Sequence, residues 1–325
     1  MKRCVFLFAF AVLFASCASA PKGNSGANDE LVKAEQSFNR QEYSEAILHY
    51  EKAAAQGSAE ALYELSAIYA NGNGVEVDIS KAIEYLEQSA ELSYPDALND
   101  LGSLYQHGYF GEPDFDKARA FFEKAAAQNH ALAMSNLGFL YLNGYGVEQD
   151  FAKAKTLLEK SAKNNCAEAQ YNLGVIYYQA IGVKQDMAAA KKWFEKAAAQ
   201  DFGAALNYLG VMSQNGEGGA QDFEKAVMYY LKAVNQCDII AHNNLGTCYV
   251  NGWGVTQDFA KAVELFEYAA SAGYAMAMNN LAIMYENGYG VEQDTNTARE
   301  WYEKAAELGY ADAQSALERL SEISE

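Results

Sequence analysis

The stretch Asn136-Leu137-Gly138-Phe139-Leu140-Tyr141-Leu142-Asn143-Gly144-Tyr145-Gly146-Val147-Glu148-Gln149-Asp150-Phe151-Ala152-Lys153-Ala154 contains the end of one helix, a tight loop and the start of a second helix. With Ala133 just upstream, Leu137, Leu140 and Tyr141 complete an i, i+4, i+7, i+8 stripe, the apolar face of an amphipathic helix. Asn143-Gly144-Tyr145-Gly146 stops that helix, because glycine enters the left-handed conformation of a C-terminal cap without steric cost. Asp150 then stands where a side-chain oxygen can accept from the first free amides of a new helix. Ala154, Leu158 and Ala162 carry the new helix on at a spacing of four. Gly138 lies beside the first stripe and predicts the close approach of a neighbouring backbone.

Moving outward, the same pattern returns every 36 residues without insertion, in units that begin at Ala59, Pro95, Ala131, Ala167, Gly203, Ile239 and Ala275. The seventh position of each unit is Leu65, Leu101, Leu137, Leu173, Leu209, Leu245 and Leu281, and the twentieth is Asp78, Asp114, Asp150, Asp186, Asp222, Asp258 and Asp294. A helix of about 14 residues is roughly 21 Å long, so one such hairpin cannot bury its apolar face alone. Neighbouring hairpins must stack, which predicts an all-α superhelical solenoid of helix-hairpin repeats. Residues 29–58 read as one further N-terminal hairpin turning at Asn39-Arg40-Gln41, residues 59–310 as the seven repeats, and residues 311–325 as a C-terminal capping helix.

The succession Ala, Leu-Gly, Tyr, Asn-Gly-x-Gly-Val, Asp, Lys-Ala at these intervals resembles the Sel-one-like repeat, a relative of the tetratricopeptide repeat. Its cleanest copies here run from Asn136 to Ala154 and from Asn244 to Ala262. The resemblance implies a right-handed α–α superhelix whose first helices line a concave side, and a role as a protein-binding adaptor or scaffold. Two repeats depart from the pattern. In the fourth, Ala180 replaces the first loop glycine. In the fifth, Ser213 replaces the tyrosine and Gly218-Gly219 loosens the loop, which predicts local softness.

The N-terminus reads as an address. Met1, Lys2 and Arg3 precede thirteen almost purely apolar residues from Cys4 to Ser16, the layout of a secretory signal peptide over residues 1–16. Such a run is too short for a membrane span of roughly 20 residues. Two cleavage readings stand. Ala18-Ser19-Ala20 fits an ordinary signal peptidase but places Pro21 after the cut. Phe14-Ala15-Ser16-Cys17 resembles a bacterial lipobox, with Phe14 in place of the usual leucine, and would make Cys17 the lipidated first residue. Residues 17–28 then form a flexible tether. Ala18, where an aspartate would signal inner-membrane retention, points to an outer-membrane lipoprotein; the other processing route gives a periplasmic or secreted protein.

The chain of 325 residues carries a formal net charge of -19, with 24 Lys and Arg against 43 Asp and Glu. Its field repels phosphates, and no Lys/Arg run offers the stripe that nucleic acid requires, so nucleic acid is excluded as a partner. Each repeated aspartate stands alone at a helix start and reads as a cap. His49, His107, His130 and His242 fall at unrelated phases, away from any metal-ligand spacing, and read as solvated or loop side chains. Cys248 occupies an apolar column and reads as a buried small hydrophobe. The aromatic pairs Phe121-Phe122, Trp193-Phe194, Tyr229-Tyr230 and Trp301-Tyr302 read as packing between hairpins. Some secreted relatives carry a disulfide in every repeat and have been called penicillin-binding or β-lactamase-like. This chain lacks that cysteine framework, and its Ser19 to Lys22 match falls in the tether, without the partner motifs of such enzymes. The reading is therefore no enzyme, no metal and no cofactor, with a cell-wall or β-lactam hydrolase and a purely structural envelope spacer as the alternatives.

Positions that vary between repeats are those the framework does not dictate. The second, fifth, ninth and twelfth positions of the first helices share one face, which reads Asn99, Ser103 and Gln106 in the second repeat and Asn243, Thr247 and Val250 in the sixth. Between them the face turns apolar and aromatic, and Phe139, Leu142, Tyr171, Val175, Tyr178 and Val211 are the candidate contacts for a protein or peptide ligand in the groove. Ordinary inter-helix packing is the competing reading of the same residues. As surface positions, Tyr171 and Tyr178 would lose partner capture on change to alanine while stability moved by no more than about 1 kcal/mol.

Overall fold

The second helix of every repeat opens on an aspartate cap. Asp78, Asp114, Asp150, Asp186, Asp222 and Asp258 each accept a hydrogen bond of 2.9–3.1 Å from the backbone N–H three residues on, which satisfies an amide the helix itself cannot. Asp294 does the same for Asn296 and Thr297. The amide of each aspartate also donates back to the end of the preceding helix, as Asp150 N does to Tyr141 O at 2.9 Å. The first helices close on Gly72, Gly144, Gly216, Gly252 and Gly288, all left-handed with φ between 69° and 74°. Ala180 adopts the same conformation at φ 59° without being a glycine.

The computed structural model describes residues 25–323, which form helices joined by short loops, with no strand among them. The helices are α1 Ser25–Asn39, α2 Tyr43–Ala55, α3 Ala59–Asn71, α4 Ile79–Glu91, α5 Pro95–Gln106, α6 Phe115–Ala127, α7 Ala131–Asn143 and α8 Phe151–Lys163. They continue as α9 Ala167–Gln179, α10 Met187–Ala198, α11 Gly203–Asn215, α12 Phe223–Asn235, α13 Ile239–Asn251, α14 Phe259–Ser271, α15 Ala275–Asn287, α16 Thr295–Glu307 and α17 Ala311–Ile323. The chain divides into two compact units within α9, after Ala169. Residues 1–24, which include the segment read as a signal peptide, Cys17 and most of the segment read as a tether, lie outside the described residues. The tether as read from the sequence runs too far: Ser25 to Asn28 belong to α1, and Ala27 is buried.

In the first unit, α1 to α8 each pack on their neighbours in sequence. One core gathers Leu31, Ala46, Tyr50, Ala61, Leu65 and Ile68, and a second gathers Leu86, Leu98, Leu101, Phe122, Leu137 and Leu140. The second unit repeats the scheme, with Phe194 and Met212 in one cluster, Tyr230 and Cys248 in the next, and Phe266, Leu281 and Tyr302 in the last. Cys248 is thus the buried hydrophobe its column predicts. Of the aromatic pairs, Phe122, Phe194, Tyr230 and Tyr302 are fully buried.

The glycine of the first helices is dictated by its own hairpin. A β-carbon on Gly102 would lie 2.6 Å from the Phe122 ring, and one on Gly210 would lie 2.4 Å from the Tyr230 ring. On Gly138 it would meet Leu158 Cγ at 2.9 Å and Ala154 O at 3.3 Å. The close approach expected from a neighbouring backbone is therefore made chiefly by a side chain of the following helix, which seats a large residue against the missing one.

Candidate interaction surface

Within each unit, column five of one first helix meets column six of the next, 37 residues on, in several complementary pairs. In the first unit, the Tyr63 hydroxyl donates to Asp100 Oδ2 at 2.9 Å, and Asn136 Nδ2 donates to Asn99 Oδ1 at 3.0 Å. In the second unit, Asn244 Nδ2 donates to Asn207 Oδ1 at 2.9 Å and Asn280 Nδ2 to Asn243 Oδ1 at 2.8 Å. Tyr171 faces Tyr208 in the same way, ring to ring, with centroids 5.8 Å apart. Asn99, Asn207 and Asn243 are almost fully buried. Their variation between repeats reflects paired packing, which corrects the assignment of Asn99 and Asn243 to an open face. Ser135 is also fully buried, and its Oγ has no hydrogen-bond partner.

The first unit places four carboxylates on α3 and α5. Asp100 is about 5% exposed, and Asn99 Nδ2 donates to its Oδ1 at 3.1 Å. Burial pushes its carboxyl up to about 8, because removing a charge from water favours the neutral acid. Burial, then Glu60 and Glu35, raise Glu64 to about 7, and burial also raises Glu60. Asp96 meets His130 Nε2 at 3.1 Å. His130 Nδ1 accepts from the Ala133 amide as the cap of α7, so in the neutral ring the proton sits on Nε2 and is donated to Asp96. Phe139 and Leu142 belong to this unit, both half-buried. Phe139 lies 5.9 Å, centroid to centroid, from the exposed Tyr145, and Leu142 packs on the core.

The second unit holds Tyr171, Val175, Tyr178 and Val211, also half-buried. Tyr171 packs on Phe202, Tyr208 and Phe194 with centroids 5.3, 5.8 and 6.0 Å away. Tyr178 packs on Tyr208 at 5.4 Å, and burial raises the Tyr171 and Tyr178 phenols well above their ordinary range. Tyr171, Val175 and Tyr178 lean on the core around Phe194, and Val211 on the core around Tyr230. The more exposed apolar side chains of these first helices are Ile240, Met276 and Ile283, in the sixth and seventh repeats. Sequence reasoning missed them because column variation alone carries no exposure; the isoleucines and methionine among neighbouring amides were the available signal.

The histidines correct another expectation. His49 Nδ1 lies 2.7 Å from Glu30 Oε2, His130 caps α7, and His242 is buried, stacked on Tyr268 at 3.9 Å with Nδ1 2.7 Å from Asp238 O. Only His107 is exposed. Among the described residues no group of three or more His, Cys, Asp or Glu is placed to hold a metal ion, and no helix is long and apolar enough to cross a membrane.

The Sel1 repeat model matches residues 40–58, 59–94, 95–130, 131–166, 167–202, 203–236, 239–274 and 275–310. Its matches begin where the seven 36-residue units begin, the one in the fifth unit ending at residue 236, and add a partial copy in the N-terminal hairpin. Among solved structures, a protective antigen present in uropathogenic Escherichia coli strains, displaying an SLR fold, aligns with a TM-score of 0.64 and 31% identity over 84% of this chain and 59% of its own. The chain therefore spans 59% of that antigen's length. A Sel1 repeat protein from Oxalobacter formigenes aligns with a TM-score of 0.63 and 29% identity over 90% of this chain and 87% of its own. Yeast Tom70, at 16% identity and a TM-score of 0.50 over 96% of this chain and 67% of its own, shares the fold alone. No curated protein matches the chain.

Proposed function

The chain belongs to the Sel1-repeat family of all-α solenoids, and from that premise we propose that it is a protein-binding scaffold or adaptor held at the bacterial cell envelope by a lipid on Cys17. The family is commonly a protein-interaction scaffold and typically not catalytic. The observation that carries the reading is the contrast between constant framework columns and first-helix side chains that differ in chemistry from repeat to repeat. Glu60 and Glu64 give the first unit an acidic character, whereas Tyr171, Tyr178, Ile240 and Ile283 give the second an aromatic and aliphatic one. Stacked hairpins offer long, shallow surfaces of this kind, and apolar side chains among amides are what partner proteins cover.

The anchor rests on Phe14-Ala15-Ser16-Cys17 behind a short apolar run. A lipid-bearing cysteine followed by a soluble tether keeps a domain at a membrane without crossing it, and Ala18 favours the outer membrane. Metabolic labelling with a clickable fatty acid in a diderm host is expected to label the full chain and not Cys17→Ser; an unlabelled wild-type chain in the soluble periplasm refutes the anchor. Crosslinking in intact envelopes, followed by capture of the chain, is expected to return a discrete protein adduct that Ile240→Ser/Ile283→Ser loses. Absence of any adduct would favour the spacer, turnover of muropeptides or a chromogenic β-lactam would favour the hydrolase, and unchanged adducts in the variant would place the interface away from Ile240 and Ile283.

A further inference from the structure

The fifth repeat contains a space that side chains fill elsewhere in the chain. At the eleventh position of the other repeats stand Tyr69, Tyr105, Tyr141, Tyr177, Tyr249 and Tyr285; here the residue is Ser213. At the seventeenth position, Val75, Val147, Val255 and Val291 pack on their cores; here the residue is Gly219. The second repeat also has a glycine, Gly111, but Phe110 closes on Tyr105 with ring centroids 4.8 Å apart. In the fifth repeat both the ring and the branched side chain are missing. A cavity of about 260 Å³ is found there, lined by Leu209, Met212, Ser213, Glu217, Lys191 and Lys225, with Gly219 to Asp222 as its rim.

The other repeats show what chemistry this space is built to hold. Lys81 Nζ donates to the Tyr69 hydroxyl at 2.7 Å and lies 4.0 Å from the ring centroid. Lys153 treats Tyr141 alike, at 2.6 and 4.0 Å. Lys117 and Lys261 lie 4.8 and 5.3 Å from the rings of Tyr105 and Tyr249. Lys225 keeps the same place in the fifth repeat and has no eleventh-position ring beneath it; its nearest ring is Tyr229, 5.9 Å away. Ser213 Oγ donates to Leu209 O at 2.8 Å, and the Glu217 carboxylate accepts from Asn215 Nδ2 at 3.1 Å and faces the Tyr178 hydroxyl. Leu209 and Met212 line the cavity together with the Lys191 and Lys225 side chains, and apolar wall with ammonium suits a phenol, whose ring meets both and whose hydroxyl accepts from the cation. An engineered apolar cavity of about 150 Å³ accepts benzene, so the volume here admits one substituted ring.

We propose that this cavity binds a phenolic ring, supplied as a tyrosine side chain by a protein partner, in the place that the chain's own tyrosine occupies in its other repeats. That the ring comes from a partner rests on the scaffold reading; that the cavity takes a phenol does not. The probes are p-cresol, N-acetyl-tyrosinamide and toluene, read by amide chemical shifts on the mature chain. Both phenols are expected to give saturable shifts in residues 209–225, and Lys225→Met to weaken p-cresol by about tenfold and toluene by less, since toluene shares the ring's contact with the ammonium and lacks the hydroxyl that accepts from it. Ser213→Tyr is expected to abolish the shifts. Gly219→Val adds only the side chain found in other repeats, at a site where a β-carbon meets just Lys191 Nζ at 3.4 Å. It is expected to abolish them too, and it serves if Ser213→Tyr does not fold. Absence of saturable p-cresol binding, or binding unaltered in a folded variant, overturns the proposal. Binding of p-cresol without N-acetyl-tyrosinamide overturns the partner tyrosine as the source. Loss of the envelope crosslink with the phenol site intact would sink the scaffold reading alone.

Discussion

Tyr63 donates a 2.9 Å hydrogen bond to Asp100 Oδ2 across α3 and α5, so a nearly buried carboxyl sits in the joint between two hairpins. Its acidity is raised to about 8, and that of nearby Glu64 to about 7. A carboxyl raised on folding contributes stability that is full below its unfolded value near 4 and is lost as pH rises through the folded value. Urea unfolding is expected to show stability falling by on the order of 2 kcal/mol from pH 5 to pH 8. Asp100→Asn should cost about 1 kcal/mol at pH 5, where it loses the acceptor of Asn99, and should become the more stable form at pH 9. The same ranking of the two proteins at both pH values would contradict this assignment.

Asn280→Ala removes the donor to Asn243 Oδ1, which is buried between α13 and α15. An acceptor left unpaired away from water costs about 1–3 kcal/mol. Thermal unfolding should register that loss, whereas Asn287→Ala, which removes an exposed bond to Ile283 O, should change stability by less than about 0.5 kcal/mol.

The hairpins were legible in the sequence because caps and stripes are local. Asp150, Gly144 and the spacing of Leu137, Leu140 and Tyr141 each act within one or two turns, so a period of 36 exposes them. The polar pairs were not, because Asn243 and Asn280 are separated by 37 residues and belong to different columns. Read down one column, Tyr63, Asn99, Ser135 and Tyr171 look like free variation. Read against column six of the next repeat, Tyr63 faces Asp100 and Asn99 faces Asn136. Ser213 was visible as a departure, but the space it leaves depends on Gly219 being absent as a side chain too, a coincidence that only packing reveals.

Ala180 holds φ 59° at the place where the six other repeats have a left-handed glycine. An L-residue pays roughly 1–2 kcal/mol for that conformation, part of which glycine returns through its looser unfolded chain. Ala180→Gly is therefore expected to stabilise the protein by about 0.5–1 kcal/mol. A lowered melting temperature would show that the methyl group makes contacts worth more than the backbone cost.

Tyr171 and Tyr178 are joined to Phe194 and Tyr208 in one aromatic cluster, so alanine there does not leave folding intact as the sequence alone led us to expect. Replacing the half-buried Tyr171 ring should cost about 2–4 kcal/mol, the range for deleting packed aromatics. Tyr171→Ala would then abolish partner capture through unfolding and reveal nothing about contact. The informative substitutions are Ile240→Ser and Ile283→Ser, whose side chains are 45% and 38% exposed. Each should shift stability by less than about 0.5 kcal/mol. If these residues carry the interface, together they should still remove most of the crosslinked adduct, because apolar side chains that water reaches in the free protein contribute chiefly when a partner covers them.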